Sequence, residues 1–376
     1  MQRRYFIATG AAVAAAGLAP VARAENGVTA TEVVFGHTGV LSGPLGVPVK
    51  AVLSGAELAF ADSRAAGGVH GRNIKLVSLD DELKPEKAAA NYEKLLADGV
   101  FAFFGCVGSG TTAAGAPVLL RSGAPLIGPY AVGDSAREKA KGAAYVVRAS
   151  NGREAQVLVQ HLTTIGVNRI GIAYLDNPGG QEALALVEQA LAAHQLKPHG
   201  AAAMKTDASN AADAAKAIAA KEPQAVVMYL GGALAGELMK ATWALSANPM
   251  FYGMSIVPGE LTANVAGSRT RGLAICQVVP YPWGEVDPVV REFRRSAEAA
   301  KVPVSYYTWE GYLNALVLLE ALRRTGRELT RTKLHATLRA MKFRIAGMDI
   351  DFTGGGPTGS RFVELVQLTQ GGGFVR

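Results

Sequence analysis

Short apolar runs alternate with longer amphipathic stretches along most of this 376-residue chain. The clearest apolar run, residues 100–104, contains three aromatic residues and ends in a turn of small residues, 105–110. A helical pattern then begins at Thr111 and extends to about Arg121. A buried strand, a glycine turn and a helix start in this order indicate one strand–helix unit of an α/β sheet.

The turn at residues 105–110 has the chemistry of an anion-binding loop. The first N–H groups of a helix lack partners within the helix and attract anions. Ser109 adds a hydroxyl that can donate a hydrogen bond to a carboxylate or phosphate oxygen. We therefore expect this turn to bind an anionic small molecule.

The same strand–helix plan recurs before and after this unit. Four units come first, with strands predicted at residues 33–36, 74–79, 100–104 and 125–128. A second series follows, with strands predicted at residues 145–148, 169–175, 200–204, 225–230, 251–253 and 273–278. Three helical patterns and two further strands are predicted at residues 288–300, 309–325, 330–341, 348–352 and 362–368. Consecutive strand–helix units predict parallel sheets with helices on both faces, so we expect an α/β fold with two doubly wound lobes.

The first 24 residues follow the order of a secretory signal. Arg3 and Arg4 form a twin-arginine start, residues 7–21 are modestly apolar, and residues 22–24 read Ala-Arg-Ala, a cleavage site before Glu25. The apolar stretch is too short to span a bilayer. An ordinary first helix is the alternative, and the arginine pair leaves the export route open. We expect residues 1–24 to be cleaved and the mature chain to be exported.

Charge and cysteine content add little to this picture. The net charge is +7, and removal of the three arginines of the leader leaves +4. Because no cluster of Lys and Arg with interleaved aromatic residues is present in the sequence, we expect no nucleic-acid partner. Cys106 and Cys276 could form a disulfide in an oxidising compartment, but two unpaired buried thiols are the preferred interpretation.

Sequence motifs for catalysis are incomplete. Residues 108–113 match G-x-G-x-x-A, the dinucleotide fingerprint, but the acidic residue that binds the ribose is missing from its expected place. The serine frames at residues 107–110 and 253–257 fail the G-x-S-x-G pattern. The histidines are scattered, and residues 80–82 (Asp-Asp-Glu) are interpreted as a solvated acid cluster rather than a metal site. We therefore expect no enzyme, no cofactor and no metal site.

Six short segments occur in the order and spacing of a known family. They are residues 41–44 (LSGP), 65–72 (AAGGVHGR), 80–85 (DDELKP), 105–112 (GCVGSGTT), 126–129 (LIGP) and 229–232 (YLGG). Through them nearly the whole mature chain resembles the periplasmic solute-binding proteins of ABC importers, of the leucine/isoleucine/valine-binding type. The resemblance implies two Rossmann-like lobes joined by a three-strand hinge, a ligand cleft between them and a periplasmic location. It assigns residues 30–148 plus 280–343 to the N-terminal lobe, and residues 149–279 plus 344–376 to the C-terminal lobe.

The resemblance also implies a ligand-binding set. Ser109 falls where the family's serine binds the ligand carboxylate through its hydroxyl and backbone N–H. Val107 falls at a position that lines the apolar pocket, and Tyr130 at one whose backbone carbonyl receives the ligand ammonium. The full set is Val107, Ser109, Gly110, Tyr130, Ala131, Val132, Gly179, Leu230 and Ser255.

Three positions depart from the amino-acid-binding pattern. Val132 stands in place of a threonine, Gly179 in place of a tyrosine that covers the ligand, and Ser255 in place of a glutamate that pairs with the ammonium. A buried ammonium without a counter-charge costs several kcal/mol. Loss of the glutamate therefore favours a ligand without an amine, while Glu260 is a rival partner for one. We expect the ligand to be a small carboxylate, either an amino acid or an amine-free organic or aromatic acid.

Two other functions stay open from the sequence alone. A protein of this fold can sense its ligand and report to a receptor or regulator, and an exported enzyme is disfavoured by the missing catalytic set. The resemblance implies instead a carrier, expected to be monomeric, that closes on its ligand by hinge motion. The carrier would deliver the ligand to the membrane permease of an ABC importer.

Overall fold

The computed structural model describes residues 25–369 and 373–376. The predicted leader, residues 1–24, lies outside the described residues. Within them, no helix is both long and apolar enough to cross a membrane. Cys106 and Cys276 are buried and unpaired, which confirms the preferred interpretation of two separate thiols, and burial raises the pKa of Cys106 to about 12.

The first part of the chain builds a five-stranded parallel sheet. In chain order it contains β1 (Glu32–Gly39), α1 (Gly43–Ala65), β2 (Asn73–Asp80), α2 (Pro85–Ala97), β3 (Ala102–Phe104), α3 (Ser109–Ser122), β4 (Leu126–Ile127), α4 (Asp134–Lys139) and β5 (Ala144–Tyr145). The strands are arranged β2-β1-β3-β4-β5, and neighbouring strands are parallel. Every residue of β3 is buried, as expected for the centre of a sheet that helices cover on both faces.

One strand belongs to a different sheet from the one that the sequence predicts. The pattern places a strand at residues 145–148 at the start of the second series. In the structure this strand is β5, which pairs with β4 at the edge of the first sheet. The placement in the second series is wrong because a strand of two residues is positioned by its partner, and local sequence carries no information about that partner. The resemblance, by contrast, assigns residues 30–148 to the N-terminal lobe, which is the lobe that contains this strand.

The second part builds a larger sheet with helices between its strands. In chain order it contains α5 (Asn151–Thr164), β6 (Ile170–Leu175), α6 (Pro178–Ala192), β7 (Ala201–Met204), α7 (Ala211–Ala219), β8 (Ala225–Tyr229), α8 (Leu234–Ala244), β9 (Met250–Gly253), α9 (Gly259–Ala266) and β10 (Ala274–Gln277). Strands β6 to β10 are parallel to one another. The strand-end loops of this sheet therefore share one edge, as those of the first sheet do.

The last part of the chain contributes helices and a hairpin, and adds two strands to the second sheet. It contains α10 (Pro288–Ala299), α11 (Tyr306–Thr325), α12 (Arg331–Arg339), β11 (Lys342–Ile345), β12 (Met348–Asp351), β13 (Glu364–Leu368) and β14 (Phe374–Val375). β11 and β12 form a separate hairpin, while β13 and β14 add antiparallel strands to the second sheet, in the order β14-β13-β10-β9-β8-β6-β7.

Helix α11 packs closely against α1 of the first lobe. A Cβ added at Gly55 would lie 1.7 Å from the Thr308 carbonyl oxygen, and one added at Gly311 would lie 1.8 Å from that of Val52. Both positions therefore need glycine, because any side chain would separate the two helices. This crossing ties α11 to the first lobe, although it follows the second sheet in sequence.

The two sheets with their helices form the two α/β lobes. The chain passes to the second sheet after β5, leaves it after β10 and returns to it at β13. The predicted limit at residue 344 falls inside β11, and the region around the hairpin contacts the end of β5, where the Val146 N–H bonds to the Pro357 carbonyl at 2.7 Å. The residue limits of the lobes stay a prediction.

Candidate functional site

A cavity of about 630 Å³ lies between the two lobes, at the carboxyl ends of the strands of both sheets. Ligands of open α/β sheets bind at this edge, where loops vary while the sheets hold them in place. The lining residues are Val40, Ser42, Leu45, Pro48, Val49, Glu82, Leu83, Pro85, Val107, Gly108, Ser109, Gly110, Thr111, Tyr130, Ala131, Leu175, Asn177, Pro178, Gly179, Thr206, Asp207, Tyr229, Gly231, Gly232 and Ile256.

Ser109 lies in the first turn of α3 and lines this cavity. Its Oγ accepts a hydrogen bond from the Gly133 N–H at 2.8 Å, so the hydroxyl hydrogen remains to be donated to a ligand. The Thr112 N–H donates to the Gly108 carbonyl at 3.1 Å, and the N–H groups that precede it in α3 have no partner within the helix. This end of the cavity presents hydrogen-bond donors and suits an anion.

The buried carboxylate of Asp81 fixes the loop between β2 and α2, which forms part of the cavity rim. Asp81 accepts hydrogen bonds from the Thr38 hydroxyl at 3.0 Å and from the Leu83 N–H at 2.8 Å. Leu83 lines the cavity with a φ of +59°, a left-handed conformation that is costly for a residue with a side chain. Burial raises the pKa of Asp81 to about 6, although these hydrogen bonds oppose the rise. The interpretation of residues 80–82 as a solvated cluster is therefore wrong for Asp81, which shapes the rim.

Most of the cavity wall is apolar. Aliphatic side chains come from the start of α1, from the loops that follow β1 and β3, and from Leu175 and Ile256. Tyr130 and Tyr229 add aromatic rings, and the Tyr130 ring meets that of Tyr307 edge-on with 6.1 Å between the ring centres. Such a wall favours a ligand with an apolar body.

The carboxylates that line the cavity already have partners within the protein. Glu82 forms ion pairs with Lys84 and Lys87, and the hydrogen bonds from these lysines lower its pKa. Asp207 accepts a hydrogen bond from the Ser209 N–H at 3.0 Å, which lowers the pKa of that carboxyl group.

A buried ionic network lies against the ring of Tyr130. The Arg148 guanidinium, 5.4 Å from the ring centre, donates a hydrogen bond to the Ser255 hydroxyl and pairs with Glu154 at 3.5 Å and Glu310 at 3.2 Å. Glu154 accepts hydrogen bonds from the Ser255 N–H at 2.7 Å and from its hydroxyl at 2.8 Å. Burial raises the pKa of both glutamates, and the charge of Arg148 opposes the rise. The hydrogen-bonding groups of Ser255 are thus used inside the protein.

The structure brings most of the predicted ligand-binding set to one place. The members that line the cavity are Val107, Ser109, Gly110, Tyr130, Ala131 and Gly179. Val132 is buried beside the cavity, and its carbonyl accepts a hydrogen bond from Arg137 Nε at 2.9 Å. Leu230 is also buried, and Ser255 belongs to the Arg148 network. These three residues and Glu260 are not part of the cavity lining.

The sequence did not indicate most of the second-lobe wall, nor the charged members of the buried network, Arg148, Glu154 and Glu310. Asn177, Asp207 and Tyr229 lie at or just beyond the ends of β6, β7 and β8, so strand ends were the available signal. Arg148 and Glu310 meet from distant parts of the chain and carry no local signal. Within the described residues, histidine, cysteine and carboxylate side chains do not form a group of three that could hold a metal ion.

Comparisons with known proteins agree with this architecture. A family of periplasmic binding proteins matches residues 32–373 of the chain. The leucine-specific-binding protein of Salmonella typhimurium is 24% identical over 329 residues, which cover 85% of this chain and 84% of that protein. A substrate-binding periplasmic protein from Ralstonia solanacearum has a TM-score of 0.85 and 30% identity, over 91% of this chain and 99% of that one.

A third similar protein was solved with an aromatic acid. It is a solute-binding protein of an ABC transporter from R. palustris in complex with 4-hydroxybenzoate, with a TM-score of 0.78 and 17% identity over 92% of this chain and 95% of that one. At this identity the likeness shows a shared fold. Because the family match covers residues 32–373, the chain belongs to the periplasmic binding protein family, and its relatives include leucine-specific and Leu/Ile/Val-binding proteins.

Proposed function

We propose that this protein is exported to the periplasm, where, as a monomer, it captures a small carboxylate with an apolar, amine-free body and delivers it to the permease of an ABC importer. One observation carries the proposal. Hydrogen-bond donors at Ser109 face the cavity, while Ser255, where the resemblance places the partner of an ammonium, is bonded to Glu154 and Arg148.

The carboxylate end of the ligand is assigned to the first turn of α3. Ser109 supplies a hydroxyl whose oxygen already accepts from Gly133, so the hydroxyl acts as a donor toward the ligand. Hydrogen bonds to a charged group contribute about 1.5–3 kcal/mol each. The N-terminal end of the helix dipole adds a favourable interaction with a negative charge.

The absence of an amine follows from the partners of the other polar groups. A bound ammonium needs a carboxylate or carbonyl partner once it leaves water. Among the described lining residues, the carboxylates Glu82 and Asp207 already have partners within the protein, and Glu154 is engaged by Ser255 and Arg148. An ammonium would have to compete with Lys84 and Lys87 for Glu82, or with the Ser209 N–H for Asp207. The Tyr130 carbonyl already accepts a hydrogen bond from the Gly108 N–H at 3.0 Å.

The size of the cavity supports an acid with a body larger than a short aliphatic chain. A volume of about 630 Å³ lies in the usual range for small-molecule sites, about 300–1,000 Å³. Gly179 adds to this space because it has no side chain there. Leucine and 4-hydroxybenzoate, which are named for two similar proteins, represent the two ligand classes to be separated.

A thermal-shift panel on the chain from Glu25 tests the proposal. The panel pairs leucine with 4-methylpentanoate and phenylalanine with 3-phenylpropanoate, so that each pair differs only in the amine, and adds 4-hydroxybenzoate. A ligand at a hundredfold excess over its Kd stabilises the folded protein by about 2.7 kcal/mol. We expect shifts with the acids and none with the amino acids, and equal or larger shifts with leucine or phenylalanine would contradict the proposal. A matched amide, 3-phenylpropanamide, tests whether the carboxylate is required.

A further inference from the structure

A contact between the two lobes lies next to Ser109. Glu182, in α6 of the second lobe, accepts a hydrogen bond through Oε1 from the Ser135 N–H in α4 of the first lobe. These helices connect strands of different sheets, so the bond forms only when the lobes are close together. The same helix α6 carries Gly179, which lines the cavity beside Ser109.

Gly133 is the point of closest approach in this contact. Its backbone has a φ of −66° and a ψ of 161°, which any residue can adopt. A Cβ at this position would lie 2.0 Å from Glu182 Oε2 and 3.0 Å from Ser109 Oγ. The backbone conformation therefore does not require glycine here, but a side chain would displace the Glu182 carboxylate of the opposite lobe and crowd Ser109.

The segment that Glu182 holds also orients Ser109. The Gly133 N–H donates to Ser109 Oγ at 2.8 Å, two residues before the Ser135 N–H that Glu182 accepts from. A second-lobe carboxylate is therefore linked through residues 133–135 to the serine that faces the ligand. Within the described residues, Glu182 Oε2 is buried without a hydrogen-bond partner, and separation of the lobes would return it to water. This desolvation offsets part of the bond energy, which keeps the contact reversible.

We propose that Glu182 is a positioning residue that couples closure of the lobes to the binding of a carboxylate at Ser109. When the lobes meet, Glu182 fixes residues 133–135, and Gly133 then holds the Ser109 hydroxyl in the orientation that donates to the ligand. This inference rests on the proposed function for the role of Ser109, but the contact between lobes stands independently of the ligand.

Association and dissociation rates test the coupling, with 4-hydroxybenzoate as the probe in stopped-flow measurements. Glu182→Ala should raise the dissociation rate about tenfold, as expected for loss of a hydrogen bond to a charged group. The association rate should stay the same or rise, because loss of the contact also opens the ligand-free protein. Glu182→Gln retains an acceptor oxygen and should restore most of the lifetime. Glu188→Ala, an exposed change in the same helix, is the matched control. A dissociation rate for Glu182→Ala equal to that of the control would overturn the proposal.

Gly133→Ala provides a second probe, because the nearest atom to its new Cβ, Glu182 Oε2, is there only when the lobes are closed. In the wild-type background the new Cβ meets Glu182 Oε2, so we expect faster dissociation; in the Glu182→Ala background most of this effect should disappear. Equal effects in both backgrounds would show that Glu182 is not the obstacle and would contradict the coupling.

Small-angle X-ray scattering without ligand separates the coupling from the proposed function. Glu182→Ala should shift the ligand-free protein toward a larger radius of gyration than the wild type or Glu188→Ala. If none of the amine-free acids of the panel binds the wild type but this shift is seen, the ligand class is wrong and the lobe contact stands. Identical scattering of all three proteins together with unchanged rates would overturn the contact itself.

Discussion

The two sides of the cleft have similar polar residues but use them differently. In the first lobe, Ser109 accepts its hydrogen bond from Gly133 and keeps its own hydrogen for a ligand. In the second lobe, Ser255 gives its N–H and hydroxyl to Glu154 and receives a hydrogen bond from Arg148. A serine is therefore a ligand-binding group on one side and a structural group on the other.

A polar group in the cleft can bind a ligand only with the hydrogen bonds that it does not already make within the protein. The ionic network of Arg148, Glu154 and Glu310 stays buried against Tyr130, so its charges stabilise one another instead of a ligand. Substitutions on either side of the cleft test this difference separately.

Removal of the Arg148 charge should lower the stability of the protein more than any other of these substitutions. Arg148→Met would leave Glu154 and Glu310 buried without their cation, and loss of one partner of a buried ion pair costs about 3–5 kcal/mol. Urea unfolding measures this change in the free energy of unfolding. Arg121→Met is the control, because Arg121 pairs with Glu93 on the surface and exposed pairs contribute about 0–1 kcal/mol. Equal losses in the two variants would show that the network is not a buried ionic unit.

Removal of the hydroxyl should affect binding on the first side without affecting the fold. Ser109→Ala should weaken binding of an amine-free acid by about 1.5–3 kcal/mol, the contribution of a hydrogen bond to a charged group, with little change in stability. Titration calorimetry with 3-phenylpropanoate measures the affinity. Ser122→Ala, at the opposite end of α3, should bind as the wild type does. Unchanged affinity of Ser109→Ala would remove Ser109 from the site.

The stability of the protein should depend on pH through Asp81, which lies at the cavity rim in the first lobe. The pKa of Asp81 is raised from 3.8 to about 6 in the folded protein, so the folded state binds the proton more tightly than the unfolded state. The stabilisation linked to this proton is complete below pH 3.8 and is lost as the pH rises through about 6. Asp81→Asn should remove this pH dependence, which amounts to about 2 kcal/mol between pH 4 and pH 7.

The measurement is the difference in the free energy of unfolding between Asp81→Asn and the wild type from pH 4 to pH 7. Asn keeps one acceptor oxygen for the Leu83 N–H, so the loop should survive the change. We expect the variant to gain stability relative to the wild type as the pH rises. A difference that stays constant with pH would show that Asp81 does not titrate in this range.

The smallest expected effect comes from Gly179, where the two sides meet. A Cβ at this position would lie 3.1 Å from Ser109 Oγ, slightly closer than ordinary contact. Gly179→Ala should weaken binding of 3-phenylpropanoate by less than about 1 kcal/mol, because Ser109 has to shift by a fraction of an ångström. Gly231→Ala is the matched control, since its Cβ would lie 3.4 Å from the Leu45 side chain, in ordinary contact. An equal effect of both changes would argue against a specific contact with Ser109.

Features that depend on consecutive residues could be predicted from the sequence. The apolar run, glycine turn and helix start around Ser109 became β3 and α3, and Ser109 lines the cavity. The alternation of strands and helices gave the two-lobed α/β fold. Gly179 also lines the cavity, although only the resemblance to a family could place it near Ser109.

Features that depend on distant residues could not be predicted. The strand β5 is positioned by β4, and its two residues carry no period of their own. Asp81 is buried and accepts hydrogen bonds from Thr38 and Leu83. Its position in a run of three acidic residues gives no sign of this burial. Ser255 was expected in the ligand-binding set, but its partners Glu154 and Arg148 come from another part of the chain.

Titration calorimetry of the wild-type chain from Glu25 with 3-phenylpropanoate and with phenylalanine tests whether the cleft prefers a carboxylate without an amine. The two compounds share a carboxylate and an aromatic body and differ in the amine. Because desolvation of an ammonium without a partner costs several kcal/mol, we expect the acid to bind at least about a hundredfold more tightly, a difference of about 2.7 kcal/mol in binding free energy. Equal or tighter binding of phenylalanine would contradict the claim and show that the cleft provides a partner for the amine.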